Sequence, residues 1–250
     1  MNLGVSLLQR RSMNLNYKIL LLLALCICNA ESANPLRQFC NTDTNIGSDS
    51  QISANIDRLL AELVSKTPSN GLIATSYGKN QYRVFGLAQC RRDVSRTDCS
   101  SCIQDAAKQI RQRCPNQANA RIWYDFCFLR YNNKSFIGEI DTSYGILYGN
   151  VENVTDPDTF NKELGTLIGQ IRAQAVETKN EGLGKGETKL STFVTLYALV
   201  QCTRDLSLVW PLMWAILITF AKTGKDEEFY IAVVMSDMSS IYSSFLLIEC

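Results

Sequence analysis

Ten cysteines and not one histidine set the chemical range of this 250-residue chain. Six of the cysteines (Cys40, Cys90, Cys99, Cys102, Cys114 and Cys127) cluster together, while Cys202 and Cys250 stand far downstream. Without imidazole no Ser-His-Asp or Cys-His relay can be assembled, and a zinc site would need four thiolates. Acid–base work would fall to Asp, Glu, Lys, Tyr or Cys, and no pair of such groups is poised for it, so an enzyme is not expected. Cys99-Ser-Ser-Cys102 has the spacing of a redox motif but not the βαβ setting such a motif needs. No metal and no cofactor is expected. In an oxidising compartment an even cluster of six reads as a disulfide framework, and spacing alone leaves 15 pairings open.

The compartment is read from the N-terminus. Arg10, Arg11 and Lys18 precede an apolar run from Ile19 to Cys28, and Asn29-Ala30 lead into a polar stretch at Glu31. This is the pattern of a secretory signal peptide over residues 1–30, with an apolar core too short to span a bilayer of about 30 Å. Cleavage is expected near Ala30 or Ala33; removal of residues 1–30 takes Cys26 and Cys28 with it and leaves 22 basic and 24 acidic residues. The near-neutral balance gives no electrostatic reason to expect a nucleic-acid partner. The expected location is the cell exterior.

The elements that would position the cysteines follow from period and punctuation. Gln51–Lys66 carries apolar residues at helical spacing, can be capped by Ser48, Asp49 or Ser50, and is expected to stop at Thr67-Pro68. Tyr82–Cys90 reads as a strand. Asp98–Arg113 reads as a second helix, capped by Thr97 or Asp98, with Cys99 and Cys102 on one side. Arg121–Tyr131 reads as one strong strand covered on both faces, and Ser135–Ile140 and Gly145–Tyr148 as further strands. The expected class is α+β, with two helices packed on an antiparallel sheet.

An internal repeat appears at an offset of 112 residues. Leu87-Ala-Gln-Cys90-Arg-Arg-Asp-Val-Ser95 aligns with Leu199-Val-Gln-Cys202-Thr-Arg-Asp-Leu-Ser207, and the helical pattern of Asp158–Ala175 matches that of Gln51–Lys66. The expected division is a first copy at 35–140, a partial second copy at 150–207 and a divergent apolar tail at 208–250. Where the repeat should supply further cysteines, Pro211 and Trp214 stand instead. The abrupt change suggests a frameshift, a retained intron or a splice variant; the functional alternative is a membrane-touching tail. Cys202 is then left to stay free, pair with Cys250 or cross-link chains. Gly182-Leu-Gly184-Lys-Gly186 reads as a flexible connector, since it lacks the spacing of a nucleotide loop.

Cys90-x8-Cys99-x2-Cys102, with Phe39-Cys40-Asn41, Gln89-Cys90-Arg91-Arg92-Asp93 and Cys127-Phe128-Leu129-Arg130-Tyr131, resembles the plant cysteine-rich repeat secretory proteins. These carry the ginkgobilobin-2-homologous, or stress-antifungal, domain. The resemblance implies a disulfide-stapled α+β domain pairing Cys40 with Cys114, Cys90 with Cys99 and Cys102 with Cys127. It also implies a mannose-binding site with antifungal function, built from an Asn, an Arg and a Glu. The matching positions here are Asn41, Arg121 and Asn132, so the carboxylate is replaced by an amide. A lost charge-assisted bond costs about 1.5–3 kcal/mol, roughly ten- to a hundredfold in affinity.

Plainer readings stand beside these. Arg121 would pair with Asp125, and Asn41 would shape a turn. Asn133-Lys-Ser135 and Asn153-Val-Thr155 are glycosylation sequons, and a glycan on Asn133 would crowd the sugar site. Two functions follow. One is mannose-type carbohydrate binding in extracellular defence. The other is an apoplastic or plasmodesmal protein-interaction module, with extracellular proteins as partners.

Overall fold

The computed structural model describes residues 34–48, 50–139, 146–147, 156–192, 194–205, 215–223 and 228–234; in 146–147, 215–223 and 228–234 it describes the backbone alone. The leader at 1–30, Asn153 and Cys250 lie outside these residues.

Two antiparallel five-stranded sheets carry the chain. The first has the order β1-β4-β5-β3-β2, with β1 (Arg37–Cys40), β2 (Leu72–Tyr77), β3 (Val84–Cys90), β4 (Asn119–Trp123) and β5 (Cys127–Asn132). Helices α1 (Gln51–Asn70) and α2 (Arg96–Arg113) cover one face of it. Period-3.6 apolar positions bring them there: Ile56, Leu59, Leu60 and Leu63 from α1, and Ile103, Ala106 and Ile110 from α2. All are buried against Val84, Ala88, Ala120, Ile122, Leu129 and Tyr131 of the strands. The class is α+β, stapled by disulfides, as the sequence implied.

Local chemistry sets the element ends. Ser50 caps α1 by accepting from the Ser53 N–H at 3.2 Å, and Ser95 caps α2 by accepting from Asp98 at 3.1 Å. The α1 helix runs through Pro68 rather than stopping before it. Pro68 has no N–H to bond back along the helix, and Gly71, at φ 74°, closes the end by donating to the Thr67 carbonyl. The expected single strand over Arg121–Tyr131 is a hairpin. Tyr124, Asp125 and Phe126 turn the chain, so apolar residues at both parities come from two strands. Strands β1 and β2 were not foreseen as elements. In the segment expected as a strand over Ser135–Ile140, the described residues through Glu139 form no strand, and the chain turns at Ile137–Gly138.

Three disulfides tie both ends of α2. Cys90 and Cys127 are register partners on β3 and β5, and Cys99 and Cys102 reach them from the first turns of the helix. Cys114, at the C-cap, is joined to Cys40 at the end of β1. These are the three pairs the family resemblance implies.

The second sheet has the order β6-β10-β9-β8-β7, with β6 (Ile146–Leu147), β7 (Leu183–Lys189), β8 (Val194–Cys202), β9 (Ala215–Thr223) and β10 (Glu228–Val234). Helix α3 (Pro157–Ala175) packs on β7 and β8 through Leu167, Ile168 and Ile171, as α1 packs on β2 and β3. The incomplete copy is explicit in chain length. Residues 203–214 separate β8 from β9, too few for a counterpart of the 18-residue α2. Strand β9 instead pairs directly with β8, in the place β5 holds beside β3. The glycines at 182–186 do not form a free connector: Gly184 and Gly186 lie in strand β7, and a Cβ on Gly184 would come 1.9 Å from the Ile171 carbonyl oxygen, so α3 packs there on bare backbone. Cys202 is disulfide-bonded, with its partner outside the described residues.

Candidate functional site

Strand alternation divides the first sheet into two chemically different faces. Ala120, Ile122, Leu129 and Tyr131 meet the helices. Asn119, Arg121, Arg130 and Asn132 therefore lie on the other face. There the register sets Arg121 opposite Arg130 and Asn119 opposite Asn132. Asn41 follows β1 and donates its N–H to the Asn119 carbonyl at 3.0 Å. The three residues singled out from sequence, Asn41, Arg121 and Asn132, thus share one end of one sheet face, although they are far apart in the chain.

Their polar atoms are partly committed. The Asn41 side-chain oxygen accepts from the Asp43 N–H at 3.0 Å and caps a short 3-10 turn at Thr42–Thr44, the turn-shaping role open to it from sequence. The Asn132 oxygen accepts from the Lys134 N–H at 3.1 Å. Asn119, which sequence reasoning missed, is 8% exposed, and its side-chain oxygen has no hydrogen-bond partner. The guanidinium of Arg121 lies over the Phe39 ring at 5.4 Å, and that of Arg130 over Phe136 at 3.9 Å. Arg121 does not use Asp125, which sits exposed in the hairpin turn where its carbonyl takes Arg91 at 3.2 Å. Arg121 and Asn132 are 4% and 9% exposed, so this polar end of the sheet is closed. The segment 133–139 turns back over it, placing Phe136 on Arg130 and donating the Gly138 N–H to Asp205 at 3.2 Å. Asn133, the first sequon residue, is half-buried at the start of that segment.

A second constellation joins the two copies. The Gln89 amide donates to the Cys202 carbonyl at 2.8 Å and accepts from the Arg204 N–H at 3.0 Å. Its repeat counterpart, Gln201, accepts from the Arg92 N–H at 3.1 Å. Around these amides Glu181 bridges Arg92, at 2.9 Å, and Arg204, and Lys185 stands 3.6 Å from Asp93. Burial pushes the Asp93 carboxyl up, but the hydrogen bond and charge of Arg91, with Lys185 behind them, outweigh it and hold the group below its usual range. A cleft beside the clasp is lined by Phe126, Phe128, Leu199 and the two glutamines. Phe126, 42% exposed, is backed there by Arg91. The signal that could have found the clasp was the recurrence of Gln, Arg and Asp around Cys90 and Cys202.

Among the described residues no group of acidic, cysteine or histidine side chains could hold a metal ion, and no helix is long and apolar enough to cross a membrane.

Comparison with known proteins agrees with this architecture. The salt stress response/antifungal family profile matches residues 39–134. Cysteine-rich repeat secretory protein 55 of Arabidopsis thaliana is 59% identical over 194 residues, covering 76% of this chain and 73% of that protein. An antimicrobial ginkbilobin-2-like protein of Castanea crenata is 40% identical over 187 residues, covering 75% and 77%. Among solved structures, the tandem DUF26 ectodomain of the Arabidopsis thaliana cysteine-rich receptor-like protein PDLP8 superposes with a TM-score of 0.60. That match covers 82% of this chain and all of the other at 22% identity, a likeness of fold alone. With a stapled α+β first copy, an incomplete second and these relatives, the chain belongs to the plant cysteine-rich repeat secretory proteins of the stress-antifungal family.

Proposed function

We propose that this protein is an apoplastic defence module whose first copy binds a mannose-type saccharide through Asn41, Arg121 and Asn132. The reading takes 1–30 as a secretory leader, 35–140 as the binding copy, 150–207 as its partial repeat and 208–250 as a divergent tail. The observation that carries it is convergence: β1, β4 and β5 bring all three side chains to one end of the face away from the helices. Planar amides and a guanidinium are the groups that satisfy paired sugar hydroxyls. With Asn in place of the carboxylate, affinity is lower than a charged site would give. Saccharide entry requires the 133–139 segment to lift. A glycan on Asn133 would compete for the same space.

The test is titration calorimetry of the secreted chain with mannose, alongside Arg121→Ala. Binding lost in the variant supports the reading, and binding absent from both, or indifferent to Arg121, removes it. The second reading, a protein-interaction module of the cell exterior, is favoured by the closed state of the site together with the exposed ring of Phe126 at the cleft between copies. Loss of saccharide binding with retained capture of an extracellular protein, abolished by Phe126→Ala, would select it.

A further inference from the structure

Three amides stand at the polar end of the first sheet, and they are not equivalent. The side-chain oxygens of Asn41 and Asn132 are spent on backbone N–H groups at 3.0 and 3.1 Å. The oxygen of Asn119 has no donor, although the residue is more than nine-tenths buried. A buried carbonyl oxygen without a donor carries a desolvation cost that an arriving hydroxyl would relieve. The position suits that role. Asn119 is the register partner of Asn132, close enough for adjacent side chains to share one ligand, and lies two residues from Arg121 on the same strand face. Its own carbonyl holds the Asn41 backbone.

We propose that Asn119 is the specificity-determining hydroxyl acceptor of the saccharide site, doing from β4 what a carboxylate at position 132 would do from β5. The inference rests on the saccharide reading above. It assigns the site's ligand as a polyhydroxylated sugar presenting a hydroxyl donor between β4 and β5, with Arg121 donating from one side. The acceptor is neutral, so the bond lacks charge assistance and the site discriminates by hydroxyl placement more than by affinity.

The experiment is calorimetric titration of the full secreted chain with D-mannose and with D-glucose, for wild type, Asn119→Ala, Asn119→Asp and Arg121→Ala, each checked for its melting transition. Asn119→Ala removes the acceptor and is expected to weaken mannose binding about tenfold or more. Asn119→Asp keeps the acceptor and adds charge, and is expected to bind mannose at least as tightly as wild type; it also keeps the question answerable if the alanine variant fails to fold. Mannose binding that depends on Arg121 but is unchanged in Asn119→Ala overturns the assignment while leaving the saccharide reading standing. Mannose binding abolished in a folded Asn119→Asp variant overturns it as well. A saccharide complex in which a water, rather than a sugar hydroxyl, occupies the Asn119 oxygen does the same. Absence of binding by wild type removes the site and this role together.

Discussion

Tyr131 shows how much a single side chain can carry in this core. It is completely buried, its hydroxyl donates to the Cys114 carbonyl at 3.4 Å, and burial pushes its pKa up to about 12. An unfolded tyrosine ionises near 10. The raised value means that the contribution of Tyr131 to stability is complete below pH 10 and drains away as pH rises from 10 towards 12, because only the unfolded chain releases the proton there. Urea unfolding at pH 8 and pH 11 should give a falling midpoint for the wild type, and a distinctly smaller fall for Tyr131→Phe. The amides teach a different lesson about legibility. Asn41 and Asn132 were found because they sit at fixed distances from cysteines. Asn119 escaped because an asparagine directly after Pro115-Asn116-Gln117-Ala118 reads as turn chemistry until the strand register sets it against Asn132.

At the scale of elements, the covalent staples dominate. The Cys40–Cys114 bridge closes 74 residues and the Cys90–Cys99 bridge only 9. Loop-closure entropy therefore predicts a loss of about 4 kcal/mol for the Cys40→Ser, Cys114→Ser pair, against about 2–3 kcal/mol for Cys90→Ser with Cys99→Ser. Chemical denaturation of the two double variants should preserve that order. In the second copy the comparable constraint is steric: Gly184→Ala drives a methyl into the Ile171 carbonyl, so α3 must move off β7. Increased hydrogen exchange confined to α3 and β7 is the expected result. Both helices of the first copy were readable because their apolar stripes are regular. The hairpin at Tyr124–Phe126 was not, since its turn contains two aromatics and a lone Asp instead of glycine or proline, and nothing marks the break.

For the whole molecule the decisive contacts are those between copies. The surrounding ion pairs are largely exposed, and such pairs contribute about 0–1 kcal/mol each, so the buried glutamines are expected to matter more. Replacing Gln89 by Leu strands the Arg204 N–H and leaves the Cys202 carbonyl with Gln201 as its amide donor. Limited proteolysis should then cut between residues 139 and 156 faster, with the disulfide-stapled first copy surviving intact. Acid should loosen the same contact. Because the Asp93 value is depressed, its contribution is complete above the ordinary 3.8 and is lost as pH falls below that through the lower folded value. Amide exchange at Arg92 and Arg204 followed down to pH 2.5 should report this step, and Asp93→Asn should abolish it. The recurrence at an offset of 112 residues was legible as duplication. That its glutamines face each other was not, because a repeat in sequence says nothing about how its two halves meet.

The glutamine clasp has an evolutionary corollary. Each amide grips the main chain of the opposite copy, and main chain is what every residue type but proline provides in full. Thr203 stands where the first copy has Arg91, and among the described residues the later half has no counterpart of the cysteine-bearing helix, yet the handshake persists. A junction of this kind lets one half erode while the other keeps its duties, so the degraded repeat can survive as a brace long after its own pocket has gone.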